Sequence, residues 1–360
     1  MVSYSDVILN NESLLPSSPP DSGPVAVFTG CTQGIGLATL RALLKHTAAP
    51  TCYLIGRSAA RLDTIIGEGK DLNPSARLYA IIVSDLALVR DAQRAADLIL
   101  HPANPETQPK PERVDLLFMS AGWLSFSSRP DYSRSEGLDR ITAVRYHARM
   151  ALVVALLPLL RAASSPRVLS VMAAGQEGAL RLDDLGMTDA GRYGAVYAAG
   201  AAASMTTLAL EHLASLPGNE KLVFVHLYPG FVAGTGLTVR DGPVVLRFLF
   251  NRVLRPMAPL LALFPWGGFA YTSAEVGERV LFAATNGRFR RLADPASGTG
   301  TLVQQGSDGV VGSGVYTVRA DSGVYENGGT KALKKLRHDG AAKRVWEYTL
   351  AEFERIGRTA

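Results

Sequence analysis

Two cysteines, Cys31 and Cys52, are all that the 360 residues contain. No disulfide framework is implied, which suits a reducing compartment. The six histidines are dispersed and no HExxH or CxxC spacing occurs, so no metal site is expected. The adjacent carboxylates Asp183 and Asp184 lie in a loop-like stretch rather than opposed across a cleft, which leaves glycosidase chemistry without support. Ser120, Ser170 and Ser204 have no histidine and carboxylate beside them, so a nucleophilic triad is not expected. Charge is sparse as well: charged residues make up 19% of the chain, and its net +5 comes mostly from scattered arginines. Without a basic block or interleaved aromatics, no nucleic-acid partner is expected.

A long uninterrupted apolar run is also missing. The longest candidate, residues 243 to 271, is broken by Arg247, Arg252 and Arg255 and by Pro256, Pro259 and Pro265. It falls short of the roughly 20 apolar residues that a membrane span needs. It reads as a helical flap over the core or an apolar substrate, with a hairpin touching a membrane surface as the sharper alternative. The first 24 residues have no cationic stretch followed by an apolar one, so they are not expected to be a signal peptide, and a cytoplasmic location is expected. Their Ser/Pro-rich end reads as a linker.

What is present is regular. "VAVFTG" (25 to 30) is a short apolar run that stops at glycine, and "GIGLATLRALLKH" (34 to 46) continues at helical spacing. Further strands are expected at 51 to 56, 78 to 85, 114 to 122, 167 to 175 and 222 to 230, with helix-like segments between them. Near-continuous apolar strands alternating with helices predict an α/β protein with a parallel sheet covered on both faces, in three layers. The expected organisation is an extension (1–24) and one domain (25–360). Within that domain lie a cofactor half (25–165), a catalytic and substrate half (166–285) and C-terminal loops and helix (286–360).

In "TGCTQGIG", Gly30, Gly34 and Gly36 lie between a strand and a helix. There, missing β-carbons let the backbone approach a pyrophosphate on the helix N-terminus. After the second strand, where an NAD-preferring fold carries an acid for the ribose hydroxyls, stand Arg57 and Ser58. A guanidinium there can pair with a 2'-phosphate, so NADP(H) is expected over NAD(H).

From Val25 to about Thr235 the chain resembles the short-chain dehydrogenase/reductase family, with its Rossmann-type doubly wound sheet. "TGCTQGIG" matches the family's TGxxxGxG turn in full. "VSDLA" looks like the loop whose aspartate, here Asp85, contacts adenine. "MSAG" stands where the family has NNAG, keeping Ala121 and Gly122, and "YPGFVAG" resembles the loop beside the nicotinamide, with Pro229 and Gly230. The resemblance implies cofactor contacts from Gly30, Thr32, Gln33, Gly34, Ile35, Gly36, Arg57, Ser58, Asp85, Ala121, Gly122, Pro229 and Gly230. "SEGLD", "LLPLL" and the C-terminal "VWEYTLAEFERI" are similar to a divergent branch common in fungi and often met in secondary metabolism.

The same resemblance exposes a gap. Aligning "LALEHLA" with the end of the family's catalytic helix puts Gly194 at the tyrosine position and Ala198 at the lysine. Ala173 stands at the serine and Arg145 at the asparagine. No lysine occurs between Lys110 and Lys221, so no register of this helix supplies one. The candidates left for proton chemistry are Tyr193 and Tyr197, which flank the expected position, and Arg145, whose charge can stabilise a phenolate or enolate oxygen unless it pairs with Glu136 or Asp139. His147 is a further candidate acid or base.

Residues 101 to 115 read as a Pro-rich surface loop. Residues 286 to 330 read as loops with a short hairpin at "GVYTVRADSGVY", and the C-terminal basic amphipathic helix is expected over the sheet edge. The first functional expectation is an oxidoreductase acting on the carbonyl or hydroxyl of an apolar small molecule of secondary metabolism. The alternatives are a redox-neutral cyclase, isomerase or dehydratase on the same fold, and an inactive cofactor-binding protein. A homo-oligomer is compatible with each.

Overall fold

Seven parallel strands organise the molecule: β1 (Val25–Thr29), β2 (Thr51–Gly56), β3 (Arg77–Ile82), β4 (Leu116–Met119), β5 (Arg167–Val171), β6 (Val223–Leu227) and β7 (Val315–Val318). Their order across the sheet is β7-β6-β5-β4-β1-β2-β3. The computed structural model describes residues 1–17, 23–235, 238–254, 256–257, 270–292 and 302–358. Parallel neighbours need crossovers, and helices supply them. They are α2 (Gly34–His46), α3 (Ala59–Leu72), α4 (Val89–Leu100), α5 (Ala148–Ala162), α6 (Ala195–Ser215) and α7 (Ser273–Thr285).

Alternate strand residues feed two separate cores, as the period of two requires. Val27, Leu117, Met119, Val168 and Phe224 face α4, α5 and α6. Phe28, Phe118, Leu169 and Val225 face α2, α3 and α7. The three-layer, doubly wound α/β expectation therefore holds.

The chain ends differ from their expectations. Ahead of the Ser/Pro-rich stretch, of which residues 18 to 22 lie outside the described residues, α1 (Tyr4–Glu12) is helical and docks on α7. Its buried Asn11 donates through Nδ2 to the Glu278 carbonyl at 2.9 Å and carboxylate at 2.7 Å. The segment expected as a hairpin instead supplies β7, paired parallel to β6 from Val315↔Phe224 to Val318↔Leu227. The expected short turn-back is also present: Val318 and Val324 form an antiparallel bridge, with the Arg319 N–H donating to the Gly323 carbonyl at 2.7 Å and the Tyr325 N–H to the Thr317 carbonyl at 2.9 Å. Its flanking glycines suggest turns, but the crossover α7 brings "VYTV" to the sheet edge in the parallel sense.

The C-terminal basic segment is two helices, α8 (Lys331–His338) and α9 (Ala341–Arg358), separated at Gly340, whose φ is +67°. The α9 helix packs on α6 and α4, and Leu333 and Leu336 of α8 share a core with Val315 of the edge strand. Trp346, Phe353 and Ile356 of α9 join the core shared with α4 and α6. Helix Arg140–Ala162, which includes α5, is long and apolar enough to cross a membrane by length and composition, but 72% of its apolar stretch is buried inside the protein. Of the expected apolar flap, Val244–Phe248 and Leu249–Leu254 are helical and Ala270–Thr272 pairs with Phe231–Ala233. Residues 255 and 258 to 269 lie outside the described ones.

Candidate active site

Every main-sheet strand runs the same way, so the loops after β1, β2, β4, β5 and β6 meet at one edge, where open α/β sheets take their ligands. A cavity of about 540 Å³ opens there. Gly30, at φ +79°, forms the first turn, and a β-carbon on it would lie 2.5 Å from the Ala121 nitrogen. On Gly36 a β-carbon would lie 2.3 Å from the Gly30 carbonyl oxygen. Only glycine lets α2 start this close to β1. Gln33 stands at the cap position of α2 and lines the cavity, and a helix start favours an anion.

The residues implied for cofactor contact converge on this cavity. Gly30 to Gly36, apart from the buried Cys31, line it together with Arg57 after β2, Asp85 after β3, Ala121 and Gly122 after β4, and Pro229 and Gly230 after β6. Ser58 is not among the lining residues; its Oγ caps α3 by accepting from the Arg61 nitrogen at 3.3 Å. Asp85 is held in place by Arg140 at 2.6 Å and by the Ala87 N–H at 2.9 Å. Glycine cradle, helix start and arginine fit the phosphates of a dinucleotide.

Neither flanking tyrosine reaches this cavity. The Tyr193 hydroxyl donates to Asp139 Oδ2 at 3.2 Å, and burial, then Asp139, pushes the phenol well above its ordinary range. The Tyr197 hydroxyl accepts from the Arg181 N–H at 3.3 Å, while the Arg181 guanidinium stacks 4.2 Å from its ring centre. Of α6, only Ala199 is among the cavity's lining residues. His147 is buried and faces Tyr348 of α9 at 3.3 Å, its pKa pulled down to about 4 by burial.

Arg145 does line the cavity, donating to the Trp123 carbonyl at 3.3 Å. Neither acid expected as its alternative partner forms an ion pair with it, although Asp139 is near enough to act on its charge. Glu136 accepts from the Val89 and Arg90 N–H groups at 2.9 Å each, and Asp139 caps Thr142 at 3.1 Å. Sequence reasoning missed a second arginine one turn on. Arg149 is buried, and its guanidinium donates to Ser170 Oγ at 2.6 Å, to the Val171 carbonyl at 3.0 Å and to the Ala121 carbonyl at 2.9 Å. None of these partners is charged. Burial first, then Arg145, pulls its pKa down to about 9, so it remains a cation at neutral pH. The i,i+4 spacing in "RYHAR" was the available signal, and a π-helical turn, Ala143–His147, lies between Arg140–Thr142 and α5.

Two other features went unread. Tyr228, after β6, is the one tyrosine that lines the cavity among the described residues. Behind the wall, His226 Nε2 accepts from the Ala173 N–H at 3.3 Å and Nδ1 lies 2.9 Å from Thr207 Oγ1, which donates to Glu177 Oε1 at 2.9 Å. Burial, then Arg149, pulls His226 down to about 3. A neutral imidazole thus anchors the Ala173 backbone after β5. Among the described residues no group of histidine, cysteine or carboxylate side chains could hold a metal ion.

Fold, turn and cavity together are those of a dinucleotide-binding reductase scaffold, and the chain belongs to the short-chain dehydrogenase/reductase family. The family model for short chain dehydrogenases matches residues 24–182. Oxidoreductase AN1596 of Emericella nidulans is 32% identical over 90% of this chain and 91% of its own length. Short-chain dehydrogenase/reductase SAT2 of Stachybotrys chartarum is 30% identical, with 94% of each chain covered. Among solved structures, the NADPH-bound short chain oxidoreductase of Pseudomonas aeruginosa PAO1, described as containing an atypical catalytic center, superposes with a TM-score of 0.50 at 19% identity. That match covers 76% of this chain and 91% of the other. Relatives and fold neighbours define an oxidoreductase-type member whose fold takes a nicotinamide cofactor.

Proposed function

We propose that the protein is an NADP(H)-linked oxidoreductase acting on the carbonyl or hydroxyl of an apolar small molecule, in cytoplasmic secondary metabolism, with arginine in place of the family's lysine. The observation that carries this reading is the placement of Arg145 and Arg149 in the wall of the same cavity that the glycine turn and Arg57 line. When bound, the nicotinamide cofactor supplies or accepts the hydride. Gly30, Gly34 and Gly36 give the backbone access to its phosphates, Arg57 offers a partner for a 2'-phosphate, and Pro229 and Gly230 border the nicotinamide end.

Arg149 holds a fixed positive charge at the ends of β4 and β5, where a developing oxyanion is stabilised far more than in water. Tyr228 offers the hydroxyl from which a proton reaches that oxygen, a role that Tyr193 and Tyr197 are poorly placed to fill. The apolar flap, through Phe250, closes the substrate side. The P. aeruginosa neighbour lends support, being NADPH-bound with an atypical catalytic center.

A second reading, a redox-neutral cyclase, isomerase or dehydratase, is favoured by one observation: Tyr193 and Tyr197 are turned to Asp139 and Arg181. An inactive cofactor-binding protein would bind NADPH and turn over nothing. Incubation with NADPH and a panel of apolar ketones, followed by nicotinamide absorbance and product analysis, separates the three. Absorbance loss with alcohol formation supports the first, product formation at constant absorbance the second, and neither the third.

A further inference from the structure

Residues 244 to 254 turn most of their apolar side chains outward, Phe250 excepted. Val244 and Val245 are each 76% exposed, Phe248 63% and Leu249 44%. The opposite side is fastened to the protein: the Val239 N–H donates to Asn251 Oδ1 at 3.0 Å, Asn251 Nδ2 donates to the Val239 carbonyl at 2.9 Å, and Phe250 lines the cavity. A cover that met only water would carry polar residues on its outer face.

The charges in and beside this segment are mostly of one sign. Arg247 and Arg252 lie in the segment, and Arg240 lies in the strand that fastens it. From residue 238 to 257 the only acid is Asp241, whose Oδ2 accepts from Trp123 Nε1 at 3.2 Å. A second copy of this chain seated symmetrically on this face would set three arginines against three arginines with Asp241 as the single nearby acid in sequence. Anionic headgroups complement the arginines, and acyl chains take the apolar side chains.

We infer that this face docks the protein on an anionic lipid bilayer surface, without spanning it. Phe250 of this segment and Arg240 of its fastening strand, which stacks on Trp123, also line the cavity. An apolar substrate would enter from the lipid, a consequence that rests on the proposed function, whereas the docking itself does not.

The test is co-sedimentation of the full-length chain with phosphatidylcholine vesicles and with vesicles that also contain phosphatidylserine. The protein is expected to pellet with the anionic vesicles and to be released near 1 M salt, where the screening length falls to about 3 Å. Val245→Glu combined with Phe248→Glu should lower that binding by roughly tenfold or more. Arg252→Glu should selectively weaken the preference for phosphatidylserine.

A wild-type protein that stays in solution with both vesicles, or a double variant that pellets equally well, overturns the inference. So does light scattering that shows a dimer dispersed by the double variant while no vesicle binding occurs. NADPH titration of the same variant without vesicles checks that the fold and cleft survive. Failure of wild-type NADPH binding would count against the proposed function and leave the vesicle result standing.

Discussion

The Arg149 guanidinium on α5 reaches the Ser170 hydroxyl on β5 at 2.6 Å, so a buried cation closes the sheet edge where β4 and β5 end. All its other partners are carbonyl oxygens. Bringing a charge into such a place costs stability that neutral partners only partly return. Arg149→Met removes both the charge and its desolvation, so the two losses offset and stability should change by less than about 2 kcal/mol in a denaturant melt. Turnover should fall roughly 100-fold or more, the scale seen when one oxyanion donor is removed. Full turnover in this variant would reduce the arginine to a structural role.

Arg57 is exposed at the end of β2, so replacing it tests recognition without disturbing the core. Arg57→Glu should weaken NADPH by about tenfold or more, through loss of a charge-assisted pair and gain of repulsion, and leave NADH nearly unchanged. Titration with both nucleotides checks this, and equal losses would remove the case for phosphate recognition.

Acid should unfold the protein early. His226 and His147 are buried with folded pKa values of about 3 and about 4, against 6.5 for an unperturbed histidine. Between those values the unfolded chain binds more protons than the folded one. Stability is therefore full above pH 6.5 and is lost as pH falls, at about 1.4 kcal/mol per pH unit for each histidine. Melts from pH 8 to 4 on wild type and His226→Gln should show a shallower slope in the variant. Identical slopes would contradict the neutral, buried imidazole.

Asn11 ties the N-terminal helix to α7 through two bonds to Glu278. Glu278 also meets His46 at 3.1 Å. Asn11→Ala leaves buried acceptors short of a donor and should cost about 1–3 kcal/mol in a denaturant melt. A change within error would mean that α1 is not docked in solution.

The sheet and the cofactor turn were legible because their signals are local. A strand that stops at glycine before a helix can be read in ten residues, and β1 with α2 is placed as expected. What escaped depends on distance in sequence. β7 is one edge strand among glycines, and only α7 decides that it runs parallel. Asn11 meets Glu278, far along the chain, so the N-terminal helix gave no sign of its dock. Arg149 carries no local signal of its burial: arginines four apart suit a solvated helix face, and only the packing of α5 against β4 and β5 turns this one inward. Tyr193 and Tyr197 look catalytic by position, yet partners from other loops, Asp139 and Arg181, turn them aside.

The most direct test of the central claim is equilibrium titration of the purified wild-type protein with NADPH and with NADH, read by nicotinamide fluorescence. The account predicts binding of NADPH at micromolar concentration or below, with NADH weaker by about tenfold or more for want of a 2'-phosphate to meet Arg57. No detectable binding of either nucleotide would contradict it, and would make the glycine turn a structural feature of a redox-neutral protein.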